Sequence, residues 1–173
     1  MSKRVLIIGP SGTGKTYISA ALRKKGINAV DADLIEGLSG WYDGEGRKVD
    51  FPIDAGRGFL DNHRFLWKRE FLEKFLQDQS EIYLFGFSGN AFDMIDLFNE
   101  VYFLKAQPEV ITERLRHGSR KNPMGKTEYQ LKNALKYAKE IEETVRRRDI
   151  KMINADQSPE KIFLQITKED ANL

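Results

Sequence analysis

Residues 9–16 read Gly9-Pro10-Ser11-Gly12-Thr13-Gly14-Lys15-Thr16, and they follow directly on the apolar run Val5-Leu6-Ile7-Ile8. This is the full pattern of a phosphate-binding loop. Such a loop needs a buried strand to aim it, glycines that let successive backbone N–H groups converge on phosphate oxygens, and a helix that begins behind it. The sequence provides all three features in order. We therefore expect a nucleotide site at this loop and an α/β fold around it.

The residues of this loop have distinct expected roles. Lys15 is expected to reach the β and γ phosphates of ATP, and Thr16 to offer its hydroxyl to Mg²⁺. ATP and Mg²⁺ are therefore the cofactors that the sequence predicts. The expected nucleotide-binding residues are Gly9, Ser11, Gly12, Thr13, Gly14, Lys15, Thr16 and Tyr17.

Length and composition restrict the remaining possibilities. The 173 residues suit a single domain, residues 1–173, and are too few for a second independent core. The 28 basic and 26 acidic residues leave a net charge of +2, which gives no strong attraction toward nucleic acid or an anionic membrane. The absence of cysteine excludes disulfides and thiolate metal sites. The N-terminal apolar run is only four residues long, so we expect no signal peptide and no membrane span, but a cytoplasmic monomer or homodimer.

Short apolar runs alternate with helical stretches along the chain, which is typical of a parallel sheet covered by helices on both faces. The pattern predicts five buried strands, at residues 5–8, 27–31, 82–85, 101–104 and 150–154. Helix starts are marked by Pro108, by a capping box of Thr127 with Gln130, and by Ser158-Pro159. The predicted architecture is the three-layer α/β P-loop NTPase fold, with helices flanking a five-stranded parallel sheet.

Two stretches rich in glycine resist assignment to regular structure. They span residues 37–58 and 117–126, and loops of this length in a compact domain are usually functional. Between them, apolar and aromatic residues at i, i+4 spacing predict one helix over residues 59–77. We expect residues 117–126 to form a short lid and residues 33–64 to bind the acceptor.

Two carboxylates, Asp31 and Asp33, follow the second strand. Ligands of open α/β folds bind at the carboxyl ends of the strands, so both side chains are expected in the same crevice as the phosphate loop. In the functional interpretation, Asp31 orients Mg²⁺ through water, while Asp33 holds or deprotonates an acceptor hydroxyl. The alternative is that Asp33 only caps a helix that runs through Leu34 and Ile35.

The order of these motifs resembles that of the shikimate kinase group, which has the nucleoside monophosphate kinase-like fold. The resemblance rests first on the phosphate loop after strand one, then on Asp31-Ala32-Asp33-Leu34-Ile35-Glu36 after strand two, and on Trp41-Tyr42-Asp43-Gly44-Glu45-Gly46. Later segments are similar to the fourth strand and the start of the lid in the same families, namely Val101-Tyr102-Phe103-Leu104, Pro108-Glu109 and Glu113-Arg114-Leu115. The resemblance spans essentially the whole chain.

This resemblance implies roles for further residues. Arg114 would lie near the adenine, and residues 154–158, which begin at Asn154, would wrap the base mainly through backbone groups. Arg120 would be the lid arginine that moves onto the transferred phosphoryl group, and it joins Lys15 and Asp33 as a candidate catalytic residue. The candidate acceptor-binding residues are Asp33, Arg57, Arg64 and Gly86, of which Gly86 either offers its backbone N–H or simply ends a strand.

Three functions remain open from the sequence. The first is a shikimate kinase-like phosphotransferase, which moves the γ-phosphoryl group of Mg-ATP to a hydroxyl of a small molecule. The second is a nucleoside monophosphate kinase, although no basic residue lies between Leu34 and Gly46 to hold an acceptor phosphate. The third is a nucleotide-binding ATPase or regulatory module. The expected partners are a nucleotide and a small-molecule acceptor, with no nucleic acid and no membrane.

Overall fold

A computed structural model of the protein describes residues 2–117 and 125–167. Its main sheet consists of β1 (Lys3–Ile8), β2 (Ala29–Asp31), β6 (Glu81–Phe85), β7 (Glu100–Lys105) and β8 (Lys151–Asn154). All five strands are parallel, in the spatial order β2-β6-β1-β7-β8. The predicted fold class is therefore confirmed, and the strand that leads into the phosphate loop lies at the centre of the sheet.

Apolar side chains cover both faces of this sheet, as short uninterrupted apolar strands predict. Residues alternate along β1, so that Val5 and Ile7 face one layer while Leu6 and Ile8 face the other. The face that carries Val5 and Ile7 is covered by α1 (Lys15–Lys24), α4 (Pro108–Arg116) and α6 (Pro159–Thr167). The face that carries Leu6 and Ile8 is covered by α3 (Arg69–Gln77). The long helix α5 (Glu128–Arg147) contributes side chains to both faces. Over the described part of the chain, no helix has both the length and the apolar character needed to cross a membrane.

The predicted helix starts are also confirmed. Pro108 stands at the start of α4. Thr127 and Gln130 form the capping box of α5, in which the Thr127 hydroxyl accepts the Gln130 N–H at 3.1 Å. Ser158 accepts two N–H groups from the first turn of α6, at 3.1 and 3.3 Å. These caps satisfy backbone donors that have no partner inside a helix.

The region between β2 and α3 differs from the prediction. Residues 37–58 contain two strands, β3 (Ser39–Tyr42) and β4 (Lys48–Val49), where irregular structure was expected. The expected helix over residues 59–77 is interrupted, because α2 (Arg57–Asn62) is followed by β5 (Arg64–Trp67) before α3 begins. The three strands form an antiparallel sheet in the order β4-β3-β5, and we call this unit the β3–β5 subdomain (residues 39–67).

Cross-strand pairing explains why a single helix was the wrong prediction. In register, Trp41 lies opposite Phe65, and Ser39 lies opposite Trp67. Aromatic pairs across antiparallel strands stabilise a sheet, and the ring centroids of Trp41 and Phe65 are 5.7 Å apart. Phe59 of α2 packs on the same indole at 5.5 Å. Of the aromatic residues that suggested one helical stripe, Phe59 therefore belongs to an aromatic cluster of the subdomain, whereas Trp67 packs in the core of the main sheet.

The hairpin between β3 and β4 is held by Asp43. Its carboxylate accepts the backbone N–H groups of Glu45 and Arg47 at 2.9 Å, and the Nε–H of Arg47 at 2.8 Å. The hydrogen bonds from Arg47, backbone first and then side chain, hold the pKa of Asp43 below its ordinary value. Residues 41–46, which contributed to the sequence resemblance, thus form the end of a strand and a tight turn.

Candidate active site

The phosphate loop connects the end of β1 to the start of α1. Gly12 and Gly14 have φ angles of +88° and +93°, which residues with side chains rarely adopt, and Gly14 is the N-cap of α1. The buried hydroxyl of Thr13 donates to the carbonyl of Pro10 at 2.9 Å and closes the loop. A glycine cap has no side chain with which to cover the first N–H groups of the helix. Such a helix N-terminus is suited to binding phosphate.

Gly9 is required by close packing rather than by its backbone angle. A Cβ atom at this position would lie 2.8 Å from Oγ1 of Thr13 and 3.1 Å from the carbonyl oxygen of Leu104. Both separations are shorter than van der Waals contact for carbon and oxygen. The first glycine of the motif therefore lets β7 and the loop approach each other.

The Lys15 ammonium lies across the phosphate loop. It donates to the carbonyl oxygens of Gly9 at 2.5 Å and Pro10 at 2.9 Å. Its positive charge is thus held beside the backbone groups that would surround a phosphate. Thr16 and Tyr17 are exposed in the first turn of α1, and the Thr16 hydroxyl is accessible at the same site.

The two carboxylates after β2 lie in different environments. Asp31 is 3% exposed, and its Oδ1 accepts the N–H of Asp33 at 3.0 Å. Asp31 is therefore the N-cap of a single 3₁₀ turn, Ala32–Leu34, and Asp33 lies exposed inside that turn. The alternative interpretation, in which Asp33 only caps a helix through Leu34 and Ile35, is therefore excluded. The cap is Asp31, because an aspartate bonds readily to the N–H two residues ahead.

The sheet brings these carboxylates and the phosphate loop to one edge. In register, Asp31 of β2 and Ile7 of β1 lie on either side of Phe85 of β6. Adjacent strands are about 4.8 Å apart, so Asp31 lies roughly 10 Å from β1. The phosphate loop begins two residues after Ile7, at the same carboxyl edge. The phosphate loop and the turn that contains Asp33 therefore lie at the same edge, about two strand spacings apart.

Arg114 of α4 lies between the phosphate loop and the loop that follows β8. Its guanidinium donates to the carbonyl oxygens of Gly12 and Thr13, both at 3.3 Å, and to Oδ1 of Asp156 at 3.4 Å. The Asn154 side chain shapes the second loop by accepting the N–H of Asp156 at 2.9 Å. The structure thus brings Arg114 and Asn154 together beside the phosphate loop.

The other arginines near the lid region are placed differently. Arg116 pairs with Glu128 at 2.8 Å, so Arg114 is the arginine of α4 that contacts the phosphate loop. Arg120 and most of the expected lid lie outside the described residues.

The β3–β5 subdomain carries two candidate arginines, and both are exposed. Arg57 pairs with Asp61 one helical turn later, at 3.2 Å. Arg64, the first residue of β5, lies near enough to Tyr137 of α5 for its charge to influence the Tyr137 hydroxyl. Burial raises the pKa of Tyr137 and Glu140 acts in the same direction, while Arg64 opposes both. Arg57 also lies near α5, because its partner Asp61 is 3.5 Å from the hydroxyl of Tyr129.

Gly86 belongs to the sheet rather than to an anion site. Its N–H donates to the carbonyl of Ile7 at 3.1 Å, which corrects the expectation that this N–H faces the acceptor or the γ-phosphate. A Cβ atom at Gly86 would lie 2.6 Å from Cβ of Ala32 and 2.7 Å from Cζ2 of Trp67. Glycine is required here because these two side chains close over the end of β6.

Sequence reasoning missed two residues that position this edge of the site. Trp67, at the end of β5, is 2% exposed and packs beside Gly86. The Asn90 carboxamide accepts the Trp67 N–H and donates to the Trp67 carbonyl, both at 2.9 Å, as a neighbouring strand would. The available signal was an asparagine directly after Gly89 in the loop behind a buried strand, since such residues commonly bond to backbone.

Thr16 and Asp31 are the residues at this edge that suit Mg²⁺. Both offer oxygen atoms, and Mg²⁺ usually takes one or two protein ligands together with water and substrate phosphates. Within residues 2–117 and 125–167, no group of three or more histidine, aspartate or glutamate side chains forms a metal site. One hydroxyl and one carboxylate are a donor set that fits Mg²⁺ bound together with a nucleotide.

Residues 5–136 match a known protein family, described as AAA domain. This match covers the phosphate loop, both aspartates after β2, the β3–β5 subdomain and the start of α5. A search of curated proteins finds no significant match.

The fold is similar to those of several solved kinases. Shikimate kinase from Bacteroides thetaiotaomicron has a TM-score of 0.57 and 18% sequence identity, with 99% of both chains covered. Deoxyadenosine kinase from M. mycoides with bound dATP has a TM-score of 0.50 and 13% identity, covering 98% of this chain and 99% of that one. For a gluconokinase from Sinorhizobium meliloti 1021, the TM-score is 0.50 and the identity 15%, with 92% and 86% covered. These likenesses confirm the P-loop kinase fold over nearly the whole chain.

Proposed function

The chain belongs to the AAA domain family, and from that premise we propose that it is a P-loop kinase that transfers the γ-phosphoryl group of Mg-ATP to a hydroxyl of a small molecule. The observation that carries this proposal is the position of the exposed Asp33 at the same sheet edge as the phosphate loop, roughly two strand spacings away. A carboxylate at this place favours a neutral hydroxyl acceptor.

In this proposal, the phosphate loop holds and orients the nucleotide. Lys15 places its charge at the bridge between the β and γ phosphates. Thr16 would hold Mg²⁺ directly and Asp31 through water, and the bound ion would neutralise charge on the phosphate oxygens. Arg120 is proposed to add a further positive charge on the transferred group. Phosphoryl transfer depends mainly on such positioning and electrostatic stabilisation.

Arg114 and the loop that begins at Asn154 are proposed to border the adenine. The support is that the guanidinium is already held beside the phosphate loop by the carbonyls of Gly12 and Thr13. A planar guanidinium can stack on an aromatic ring while its edge keeps these hydrogen bonds.

Asp33 is proposed to hold the acceptor hydroxyl and to take its proton as the oxygen attacks phosphorus. Beside an anionic acceptor phosphate, the same carboxylate would be repulsive. The names of the similar structures support a hydroxyl acceptor, since shikimate, deoxyadenosine and gluconate all carry hydroxyl groups. Arg57 and Arg64 are the proposed contacts for the rest of the acceptor.

The Asp33→Asn variant tests this assignment. We expect its affinity for ATP to be preserved, because the change lies on the acceptor side, and its turnover to fall by about 10²-fold or more, because a positioned proton acceptor is lost. Turnover is measured with the hydroxyl compound that gives the fastest ADP release in a pooled screen, and ATP affinity by calorimetry. The control is Asp78→Asn, an exposed aspartate that follows α3 and lies outside the acceptor region, which should leave both quantities unchanged.

Other outcomes identify the competing functions. If the acceptor is a nucleoside monophosphate, removing a negative charge near its phosphate should do little harm to turnover. Unimpaired turnover of Asp33→Asn on a hydroxyl acceptor would contradict the proposed role of this residue.

A further inference from the structure

Gln130 is buried, with no exposed surface, in the first turn of α5. Its carbonyl oxygen Oε1 accepts N–H groups from the segment that leads into the helix, from Gly125 at 3.1 Å and from Lys126 at 2.8 Å. A longer bond from Thr127, at 3.4 Å, completes the capping box. This end of the side chain therefore organises the start of α5.

The amide nitrogen at the other end of the same side chain reaches a distant part of the chain. Nε2 of Gln130 donates to the carbonyl of Ala55 at 3.0 Å and, more weakly, to that of Ile53 at 3.4 Å. Both carbonyls belong to the segment between β4 and α2, in the β3–β5 subdomain. A neighbouring contact joins the same two regions, since the Tyr129 hydroxyl lies 3.5 Å from Oδ1 of Asp61. One buried carboxamide thus links the subdomain to the segment before α5.

The packing continues from this segment to the phosphate loop. Gly125 has a φ of +95°, and a Cβ atom there would lie 3.0 Å from Cβ of Leu115. On its other side, Leu115 contacts Gly12, where a Cβ atom would lie 3.3 Å from Cγ of Leu115. Leu115 is 1% exposed and lies close to both glycines. The contacts run without a gap from Ala55 through Gln130, Gly125 and Leu115 to Gly12.

We propose that Gln130 is a positioning residue that couples the phosphate loop to the β3–β5 subdomain, so that a nucleotide bound at the loop stabilises the subdomain in its acceptor-binding arrangement. The inference rests on the proposed function in taking residues 9–16 to bind nucleotide and the subdomain to bind the acceptor. Coupling needs a physical link whose arrangement both sites influence, and a buried, doubly bonded amide between packed segments provides one.

The chemistry of the side chain separates this role from helix capping. A carboxamide both donates and accepts, whereas a carboxylate only accepts. Gln130→Glu keeps the capping box, in which glutamate is a usual residue, but it removes the donors to Ala55 and Ile53. Thr127→Ala does the reverse, because it removes the hydroxyl that caps α5 and leaves the Gln130 amide intact. The two variants form a matched pair.

Amide hydrogen exchange with and without AMP-PNP and Mg²⁺ measures the coupling. In the wild-type protein, the nucleotide analogue should slow exchange at residues 9–16 and also, by about fivefold or more, in a peptide covering residues 51–60. In Gln130→Glu, protection at residues 9–16 should remain while protection at residues 51–60 is lost. Thr127→Ala should lower the melting temperature but keep the protection at residues 9–16 and at residues 51–60. If Gln130→Glu does not fold, Gln130→Met serves instead. It removes the donors without adding a charge but also removes the Oε1 acceptor, so it is compared with Thr127→Ala, which loses the cap while the Gln130 amide stays.

Several results would overturn the proposal. Protection at residues 9–16 without protection at residues 51–60 in the wild-type protein would exclude coupling while leaving nucleotide binding established. If the Gln130 variants keep the protection at residues 51–60, Gln130 does not couple the two sites. If Thr127→Ala loses this protection to the same extent as the Gln130 variants, the role of Gln130 is only structural. No protection at residues 9–16 in the wild-type protein would remove the nucleotide site itself, and this inference with it.

Discussion

Lys15 and Thr16 are the residues on which the proposed nucleotide site depends most directly. We expect Lys15→Ala and Thr16→Ala each to reduce phosphoryl transfer by about 10²–10³-fold, the usual loss for one preorganised electrostatic contact. Both side chains lie outside the core, so the melting temperature should change little. ADP formation and thermal unfolding of the purified variants check both statements. Near-native turnover by a folded Lys15→Ala protein would contradict the nucleotide role of the loop.

Gly86 shows how closely the edge of the sheet is packed. Gly86→Ala would place a methyl group 2.6 Å from Cβ of Ala32 and 2.7 Å from the Trp67 indole. Overpacking of this kind typically costs about 1–3 kcal/mol in the free energy of unfolding, which urea denaturation measures. The control is Gly58→Ala in α2, where no atom lies within 4 Å of the new Cβ and alanine favours the helix. Equal stability of Gly86→Ala and the wild-type protein would show that Trp67 can move aside.

At the scale of elements, Asn90 is the side chain that joins the end of β5 to the loop after β6. Asn90→Ala would leave the N–H and carbonyl of the buried residue Trp67 without their partners. Each unsatisfied buried group costs about 1–3 kcal/mol, so we expect a clear loss of unfolding free energy in urea. Asn62→Ala removes an exposed bond to Gly58 and should change stability by at most about 0.5 kcal/mol. A similar small effect at Asn90 would mean that other contacts hold β5.

The elements that the sequence predicted well are those fixed by local signals. All five parallel strands were predicted because each is a short apolar run, and the starts of α4, α5 and α6 because each carries its own capping residue. The tight loop between β1 and α1 was predicted because glycines and a lysine at this spacing are typical of such a loop. Each of these signals involves only a few consecutive residues, so the sequence alone is sufficient to recognise it.

The β3–β5 subdomain was not predicted, because its structure depends on partners far apart in the sequence. Leu66 and Trp67 fit a helical stripe equally well until the folded chain places Gly40 and Ser39 opposite them. The hydrogen bonds of Asn90 to Trp67 span 23 residues, and those of Gln130 to Ala55 span 75. Only the folded chain reveals such contacts. The cap formed by Asp31 was not predicted either, because the sequence does not show which of the two aspartates begins the turn.

At the scale of the whole molecule, the fold brings a nucleotide loop, an exposed carboxylate and a separate antiparallel subdomain to one edge of a parallel sheet. This arrangement suits the transfer of a group between two ligands, one held by residues 9–16 and the other by the subdomain. It also explains why the phosphate loop is placed on the central strand β1, where it is within reach of elements from both halves of the sheet. Ligands of open α/β sheets bind at such carboxyl edges.

Phosphoryl transfer from Mg-ATP to pooled acceptors tests the central claim most directly. One pool contains small hydroxyl compounds, a second contains nucleoside monophosphates, and a third reaction contains no acceptor. ADP release is followed together with the ³¹P NMR spectrum of the products, with the Lys15→Ala protein as the inactive control. We predict that ADP forms in the hydroxyl pool, in equal amount with a new phosphomonoester. Equal ADP release without an acceptor, or ADP that forms only with nucleoside monophosphates and yields a diphosphate, would contradict the account.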